Sequence, residues 1–411
     1  MLPVEELMTH TRHIPLILAT LLLVGLTGCR QTAIEELNRQ ELFTLGLGKM
    51  EDQIDLFQTE GELFNLKNRI CMRDGLFFIA NGNSAKIMAF SSYGDLIYML
   101  YNPERNPRPV SFSMDQDLAA TRRAQPFPLK RIGELAVDRE KIVYVEDVVS
   151  EERRVQDREL GVILDRVVLC FDRTGNRQHF IGQEGIGGTP FPYIDSIYVT
   201  EQSELVVICR IPRMWQIYWY SPAGVLLYHA EIGPEHLPTQ DSRIVPYIAK
   251  IVPDLNRPLL YLMLYYTEDS VDETTQLTEA MSNPPARLYA LSLQSGRFQE
   301  PIEIPENGFR KEHVGSQEVE IPAPSYEFLG VSKSGHFFLL RQESPNLYQL
   351  LILDSLGKVA GRRYLVIEDS ELYFREVRLS DEGILYGLLC EEYEAKIVWW
   401  RSDKLLHSER G

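Results

Sequence analysis

Six short apolar runs, the tight turns that bracket them and the recurring interval between those turns predict an all-β chain closed as a six-bladed β-propeller. The runs are LFFIA (76–80), KIVYVEDVV (141–149), ELVVICRI (204–211), LLYLMLYY (259–266), HFFLLR (336–341) and ILYGLLC (384–390). Their aliphatic and aromatic content and period-two alternation read as strand. Each follows a turn signal: Asp74-Gly75, Asp138-Arg139, Gln202-Ser203, Leu255-Asn256, Ser334-Gly335 and Glu382-Gly383. Each is followed by a second strand ending in another turn: Tyr93-Gly94, Thr174-Gly175, Ala223-Gly224, Ser295-Gly296, Leu356-Gly357 and Ser402-Asp403. Glycine suits these places because hairpin turns need a positive φ.

The intervals fix the unit. In four of the six units the two turns lie about 20 residues apart, and in the second and fourth the interval is longer by about 16 and about 20 residues, which reads as insertion into the same unit. From a second turn to the next first turn the base spacing is near 27 residues, again with insertions. Six copies of a four-stranded unit of about 47 residues are the signature of a propeller. Two β-sandwiches would also supply many strands but would not repeat the interval. The last unit lacks an outer strand, since only LLHSERG (405–411) follows its second turn. Residues 52–58 are expected to supply it, joining the two chain ends and removing an exposed edge. The expected propeller is 51–411, with two classes of connection. The first and third turns of each blade are tight throughout. All long insertions (151–162, 268–285, 103–131, 233–244 and 305–325) fall in the other class, on the opposite face.

Residues 14–28 read IPLILATLLLVGLTG, and Cys29 follows. The apolar run of about 13 residues is too short to cross a bilayer as a helix and has the length of a signal-peptide core. Leu26-Thr27-Gly28-Cys29 resembles the bacterial lipobox, in which small residues admit the backbone to the signal peptidase. The resemblance implies a lipoprotein signal peptide over 1–28, with Cys29 fatty-acylated (palmitate) as the mature N-terminus. A short buried helix ending in cysteine is the alternative. Glu5 and Glu6 stand where a positive segment is expected, whereas a start at Met8 leaves Arg12 as the only formal charge before the core, so Met1 and Met8 are both candidate initiators. Arg30 rather than Asp follows the cysteine, which permits the outer membrane as well as the periplasmic face of the inner membrane. Residues 29–50 are expected to form a lipidated linker, with 31–48 as a short helix.

The third unit, IGQEGIGGTPFPYIDSIYVTEQSELVVICRIPRMWQIYWYSPAGVLLY (181–228), and the first, ICMRDGLFFIANGNSAKIMAFSSYGDLIYML (70–100), resemble NHL repeats. The third runs through a Gly-rich loop, a Pro, a strand, a turn, a strand, an aromatic-ended strand and x-x-Gly, and the first follows the same order. The other four match in strand and turn spacing only. The resemblance implies a six-bladed NHL-like lipoprotein of bacterial, spirochaetal type, and it supports the fold more than any activity.

Composition narrows the function. The 411 residues are 44% hydrophobic and 25% charged, as in ordinary globular chains. With 42 basic and 59 acidic residues the net charge is −17, which argues against nucleic acid as a partner. Five cysteines are too few for a disulfide scaffold. Cys71, Cys170, Cys209 and Cys390 sit in apolar strand segments and read as buried free thiols. Neither a G-x-S-x-G elbow, an H-E-x-x-H, a C-x-x-C nor a P-loop occurs. His179, His229, His236, His313, His336 and His407 are scattered one per region. Gly182-Gln-Glu-Gly185-Ile-Gly187-Gly188 lacks the helix a phosphate cradle needs and reads as a blade connection. Asp269, Asp272 and Glu273 lack calcium-loop spacing. Trp215, Trp219, Trp399 and Trp400 read as packing between blades, the last two on opposite faces.

No catalytic, cofactor or metal residues are therefore assigned. The expectation is a non-catalytic, lipid-anchored scaffold of the cell envelope, bound to the membrane by its lipid and holding a protein or peptide partner on the insertion-rich face. Two other readings stay open: a small-ligand binder or metal-dependent enzyme using the central channel, and an accessory lipoprotein in outer-membrane assembly.

Overall fold

The computed structural model describes residues 34–57, 66–110, 123–239, 244–268, 270–271, 278–279, 286–305, 309–314 and 317–410. Six sheets follow one another along the chain, each built outward from an inner strand. Blade 1 runs through Asn68–Arg73, Leu76–Asn81, Lys86–Phe90 and Leu96–Tyr101, with Arg123–Pro126 added parallel outside. Blade 2 comprises Leu135–Val137, Val143–Val148, Arg166–Phe171 and Arg177–Gly182, with Gly185–Ile186 outside. Blade 3 is Ile194–Val199, Leu205–Ile211, Met214–Tyr220 and Leu226–Ile232. Blade 4 is Ile244–Pro253, Leu259–Glu268, Ala286–Ser292 and an outer strand in two pieces, Arg297–Phe298 and Ile302–Glu303. Blade 5 is Glu327–Val331, Phe337–Ser344, Leu347–Leu353 and Val359–Val366. Blade 6 takes Phe374–Leu379, Leu385–Cys390 and Glu394–Trp400 from the end of the chain and its outer strand from the start. The chain is a six-bladed β-propeller, and each of the six apolar runs is the second strand of its blade.

Those runs are nearly continuous in apolar residues because both their faces are buried. Phe77 and Ile79 pack toward blade 6, while Phe78 and Ala80 between them pack toward blade 2. Val207 and Cys209 face blade 2, and Val206 and Ile208 face blade 4. The period of two therefore separates one inter-blade junction from the next rather than core from solvent. Six clusters of buried side chains occupy the six junctions. Trp399 and Trp400 divide the same way, one at the blade 6–1 junction and the other at the blade 5–6 junction.

The ring is closed by the N-terminal part of the chain, but by a different strand from the one expected. Arg39–Leu47 pairs antiparallel with Glu394–Trp400, from Arg39 opposite Trp400 to Gly46 opposite Glu394. Of residues 52–57, Gln53–Ile54 forms a fifth strand parallel to the closing one, and residue 58 lies outside the described residues. The stretch expected to be linker or helix thus belongs to the propeller from Arg39 onward. The physical reason lies in Phe43 and Leu45, which alternate with Thr44 and Gly46 at strand period and are buried at the blade 6–1 junction. Just before it, Glu36 bridges Tyr364 of the blade 5 outer strand, so the entering chain runs along that blade's rim. The sixth outer turn expected at Ser402-Asp403 is absent. Ser402–Arg410 forms a 3-10 helix, and the Ser402 hydroxyl donates to the Gly383 carbonyl at 2.6 Å.

The outer turns show what their glycines do. Gly94 has φ +84°, and a Cβ there would stand 2.9 Å from the Phe43 Cβ on the closing strand. Gly224 has φ +72° and the same closeness to Ile186 of blade 2, 2.6 Å. Each glycine meets a backbone requirement and an inter-blade contact at once. The residue three before it caps the turn: Ser91 Oγ accepts from the Tyr93 and Asp95 amides, and Asp172 Oδ1 accepts from those of Thr174 and Asn176.

Candidate functional site

The two faces of the ring differ in construction. On the face carrying the first turn of every blade, neighbouring turns are tied all the way round. Lys141 donates to Asp74 at 2.5 Å, linking blades 2 and 1. Arg139 pairs with Glu201, linking blades 2 and 3. The Glu201 amide donates to the Leu255 carbonyl at 2.9 Å, and Asn256 Nδ2 donates to the Lys333 carbonyl at 3.1 Å, taking the chain of contacts to blades 4 and 5. The Lys333 amide donates to the Asp381 carbonyl at 2.8 Å, and the Asp381 carboxylate pairs with Arg73, returning to blade 1. Burial raises the Asp381 pKa, against the pull of Arg73.

Above this girdle the inner strands line a central cavity of about 350 Å³. Its wall on blades 6, 1 and 2 is a closed network of charges. Glu134, only 2% exposed, receives Lys67 at 3.2 Å, Arg69 at 2.8 Å and Arg378 at 3.1 Å. Glu146, fully buried, receives Lys67 at 2.9 Å and Arg166 at 3.0 Å, and it accepts the Glu134 amide at 2.9 Å. Glu376 holds Arg378 at 2.8 Å and accepts the Ile70 amide at 2.7 Å. Burial alone would push the Glu134 pKa up. Lys67, Arg69 and Arg378 outweigh it and bring the value down to about 2. On blades 3, 4 and 5, Asp195, Lys250 and Glu327 line the same cavity and enter none of these pairs. Burial and the nearby Glu134 raise the Asp195 pKa, and Lys250 opposes them.

This array suits holding blades together and offering charge to a ligand. It does not compose a nucleophile with its base. Cys71 lines the cavity, but burial raises its pKa, so the thiolate is disfavoured, and the cavity lining contains no histidine. Among the described residues no group of three or more His, Cys, Asp or Glu is placed to hold a metal ion.

The opposite face carries the insertions. In blade 2 the hairpin Val155–Asp157 and Val162–Leu164 stands between the second and third strands. In blade 4 the same position holds Ser270–Val271 paired with Thr278–Glu279. The connection into blade 5 contains the hairpin Phe309–Val314 and Gln317–Pro322, and the connection into blade 2 sends Arg123–Pro126 back as a fifth strand. The stretch 233–244 joins the last strand of blade 3 to the first of blade 4, so all five expected insertions lie at second-to-third-strand or blade-to-blade connections.

The residues singled out in the sequence are dispersed. Leu26, Thr27, Gly28 and Cys29 lie outside the described residues, as do Asp269, Asp272 and Glu273. His179 and His229 are on the outer strands of blades 2 and 3, the latter stacked on Tyr218 at 4.5 Å, and His236 and His336 belong to separate connections. The side chains of His313 and His407 are outside the description. The glycine loop 182–188 is the turn between the outer strands of blade 2, with the Gly188 amide donating to the Gly185 carbonyl at 3.1 Å. Trp215 and Trp219 are buried at the blade 3–4 junction. Sequence reading missed the channel network. Its only signal is a charged residue at or just before the inner strand of several blades: Lys67 and Arg69, Glu134, Asp195, Lys250, Glu327, and Glu376 with Arg378.

The class these features define is a six-bladed propeller whose girdled face and insertion-bearing face are chemically distinct. No family model and no curated protein matches the chain. Among solved structures, it is similar to the Dos1 propeller, with 12% identity over 86% of this chain and 70% of the other and a TM-score of 0.33. It is also similar to the β-propeller domain of the Trilobed protease from Pyrococcus furiosus, with 10% identity, 79% and 80% coverage and a TM-score of 0.36. A third similarity is to Hsv2 of Kluyveromyces lactis, with 7% identity, 79% and 90% coverage and a TM-score of 0.36. The fold assignment rests on the sheet order of this chain itself.

Proposed function

We propose that the protein is a non-catalytic binding scaffold of the bacterial cell envelope, an NHL-like lipoprotein anchored through Cys29, that holds a protein or peptide partner on its insertion-bearing face. The observation that carries this reading is the asymmetry of the ring. One face spends its turns on tying blades together, while every insertion stands on the other. Long loops on a rigid frame are where binding resides most often. Random growth of loops would have no reason to spare one face.

Two experiments test the two halves of the reading. Replacing 111–122, which leaves the strand Arg123–Pro126 and the buried Leu129 in place, or 268–285 by short Gly-containing turns should leave thermal unfolding close to that of the parent, since shortening surface loops costs little. Crosslinked capture of partners from native membranes should fall in both variants, and undiminished capture in both would place the partner elsewhere. For the anchor, a Cys29→Ala chain should accumulate unprocessed and take up no labelled fatty acid. Persistent labelling would refute the lipid attachment.

A further inference from the structure

On the insertion-bearing face, at the seam where blade 6 meets blade 1, three aromatic side chains stand out of the surface together. Phe57 is 66% exposed, Tyr373 75% and Tyr393 79%. Single exposed aromatics are ordinary; three around one cleft of about 930 Å³, floored by Leu47, Leu56 and Leu66, are not. They come from three separate segments: the chain after the closing strand, the connection into blade 6, and the turn between Leu385–Cys390 and Glu394–Trp400.

Their backbones are held. The Phe57 amide donates to Asp55 Oδ1 at 3.1 Å, and Asn83 Nδ2 donates to the Phe57 carbonyl at 3.0 Å. The Tyr373 amide donates to the Cys390 carbonyl at 2.9 Å, and the Glu391 amide donates to the Glu394 carbonyl across the turn that carries Tyr393, at 2.8 Å. Exposed rings on fixed backbone are anchors whose ordering cost is already met.

A second cleft, about 610 Å³, adjoins the first on the far side of the two tyrosines. It is lined by Glu371, Glu391, Glu392 and Glu394. Lys396 neutralises two of these, reaching Glu391 at 2.6 Å and Glu394 at 3.2 Å. Glu371 and Glu392 pair with no cation among the described residues, and Glu392 accepts the Tyr393 hydroxyl at 2.7 Å. An apolar slot and an anionic slot therefore share an aromatic wall.

We infer that this seam binds an extended peptide segment in which a bulky apolar side chain neighbours Lys or Arg. The apolar side chain fills the first cleft. The cation lies against Tyr373 and Tyr393 and is met by Glu371 and Glu392, where ring and carboxylate attract it together. The same acids and a net charge of −17 disfavour an anionic lipid surface, and a second copy would bring like charges to the contact. The inference deepens the proposed scaffold role by giving the partner's chemistry. It uses neither of the loops whose trimming tests that role, so the two can fail separately.

The test is fluorescence anisotropy of the full chain in detergent with a labelled decapeptide alternating Lys with Leu and Phe. Controls carry Glu in place of Lys, or Ser in place of Leu and Phe. The basic-apolar peptide should bind and both controls should not. Tyr373→Ala with Tyr393→Ala should weaken binding about tenfold or more. Glu371→Gln with Glu392→Gln should weaken it several-fold and remove most of its salt dependence. Matching thermal unfolding of parent and variants shows that the losses are not misfolding. Equal binding of the Glu peptide, or parent-like binding by the tyrosine variant, overturns the inference. So does a parent that binds no peptide while Leu63→Ser with Phe64→Ser does, which would mean that the chain's own segment between Phe57 and Leu66 takes the cleft. Attachment to phosphatidylglycerol vesicles that depends on Tyr373 and Tyr393 overturns it as well.

Discussion

Glu134 is the residue on which the channel depends most. With its folded pKa held near 2, against 4.5 when exposed, its ionised form stabilises the fold above pH 4.5. That stability is lost as the pH falls from 4.5 through 2, up to about 3 kcal/mol from this one group. Glu134→Gln leaves Lys67, Arg69 and Arg378 short of one buried anion and should cost about 3 kcal/mol or more. Denaturant titrations of parent and variant at pH 7 and pH 3 check both statements: the gap between them should narrow at the lower pH. Lys86 works in the opposite sense. It is fully buried at the start of its strand in blade 1 and donates to the Met50 carbonyl at 2.5 Å, pinning the turn after the closing strand. Burial lowers its pKa to about 8, against the pull of Asp55, Asp52 and Glu51. The unfolded chain still binds that proton up to about 10.5, so this lysine by itself adds stability as the pH rises from 8 to about 10. The buried thiols of Cys71, Cys170, Cys209 and Cys390 and the buried phenols of Tyr98, Tyr220 and Tyr386 pull the other way, because burial raises their pKa while their unfolded counterparts ionise from about pH 9 and about pH 10. The parent should therefore gain stability relative to Lys86→Met between pH 8 and about 10, read as the difference in unfolding midpoints across that range.

The closing strand is the element on which the ring depends. Phe43 packs its ring 5.9 Å from Phe77 and 5.5 Å from Phe90, across the junction where the two ends of the chain meet. Phe43→Ala should cost about 3 kcal/mol or more. Gly94→Ala, strained in φ and pressed against the same phenylalanine, should cost over 1 kcal/mol. Equilibrium unfolding measures both, and near-additive losses would be surprising for two groups in contact. The second strand of every blade was legible in the sequence because two buried faces demand an unbroken apolar run. The outer turns of blades 1 to 5 were legible because a positive φ demands glycine and a capping Ser or Asp precedes it, whereas the first turns of blades 2 and 3 put Lys141 and Ser203 at positive φ. The closing strand was not. Its Gly46 and Gly48 and the acidic run Glu35-Glu36 before it resemble a linker, and only the Phe43, Leu45 alternation betrays a strand. The channel charges and the aromatic seam were hidden for another reason: their members are brought together by ring closure, and no local spacing records that.

At the scale of the whole molecule, the two faces have divided their tasks. The girdle of first-turn contacts makes one face a structural rim, and the other is free to carry hairpins, a returning strand and the aromatic seam. The measurement that tests this division most directly is photocrosslinking from single positions in living cells. A photoreactive residue at Val110 or Glu152, both exposed among the insertions, should yield adducts with the partner. The same residue at Glu140 or Glu382 on the girdled face should yield none. Adducts that form from Glu140 and Glu382 but not from Val110 or Glu152 would contradict the account.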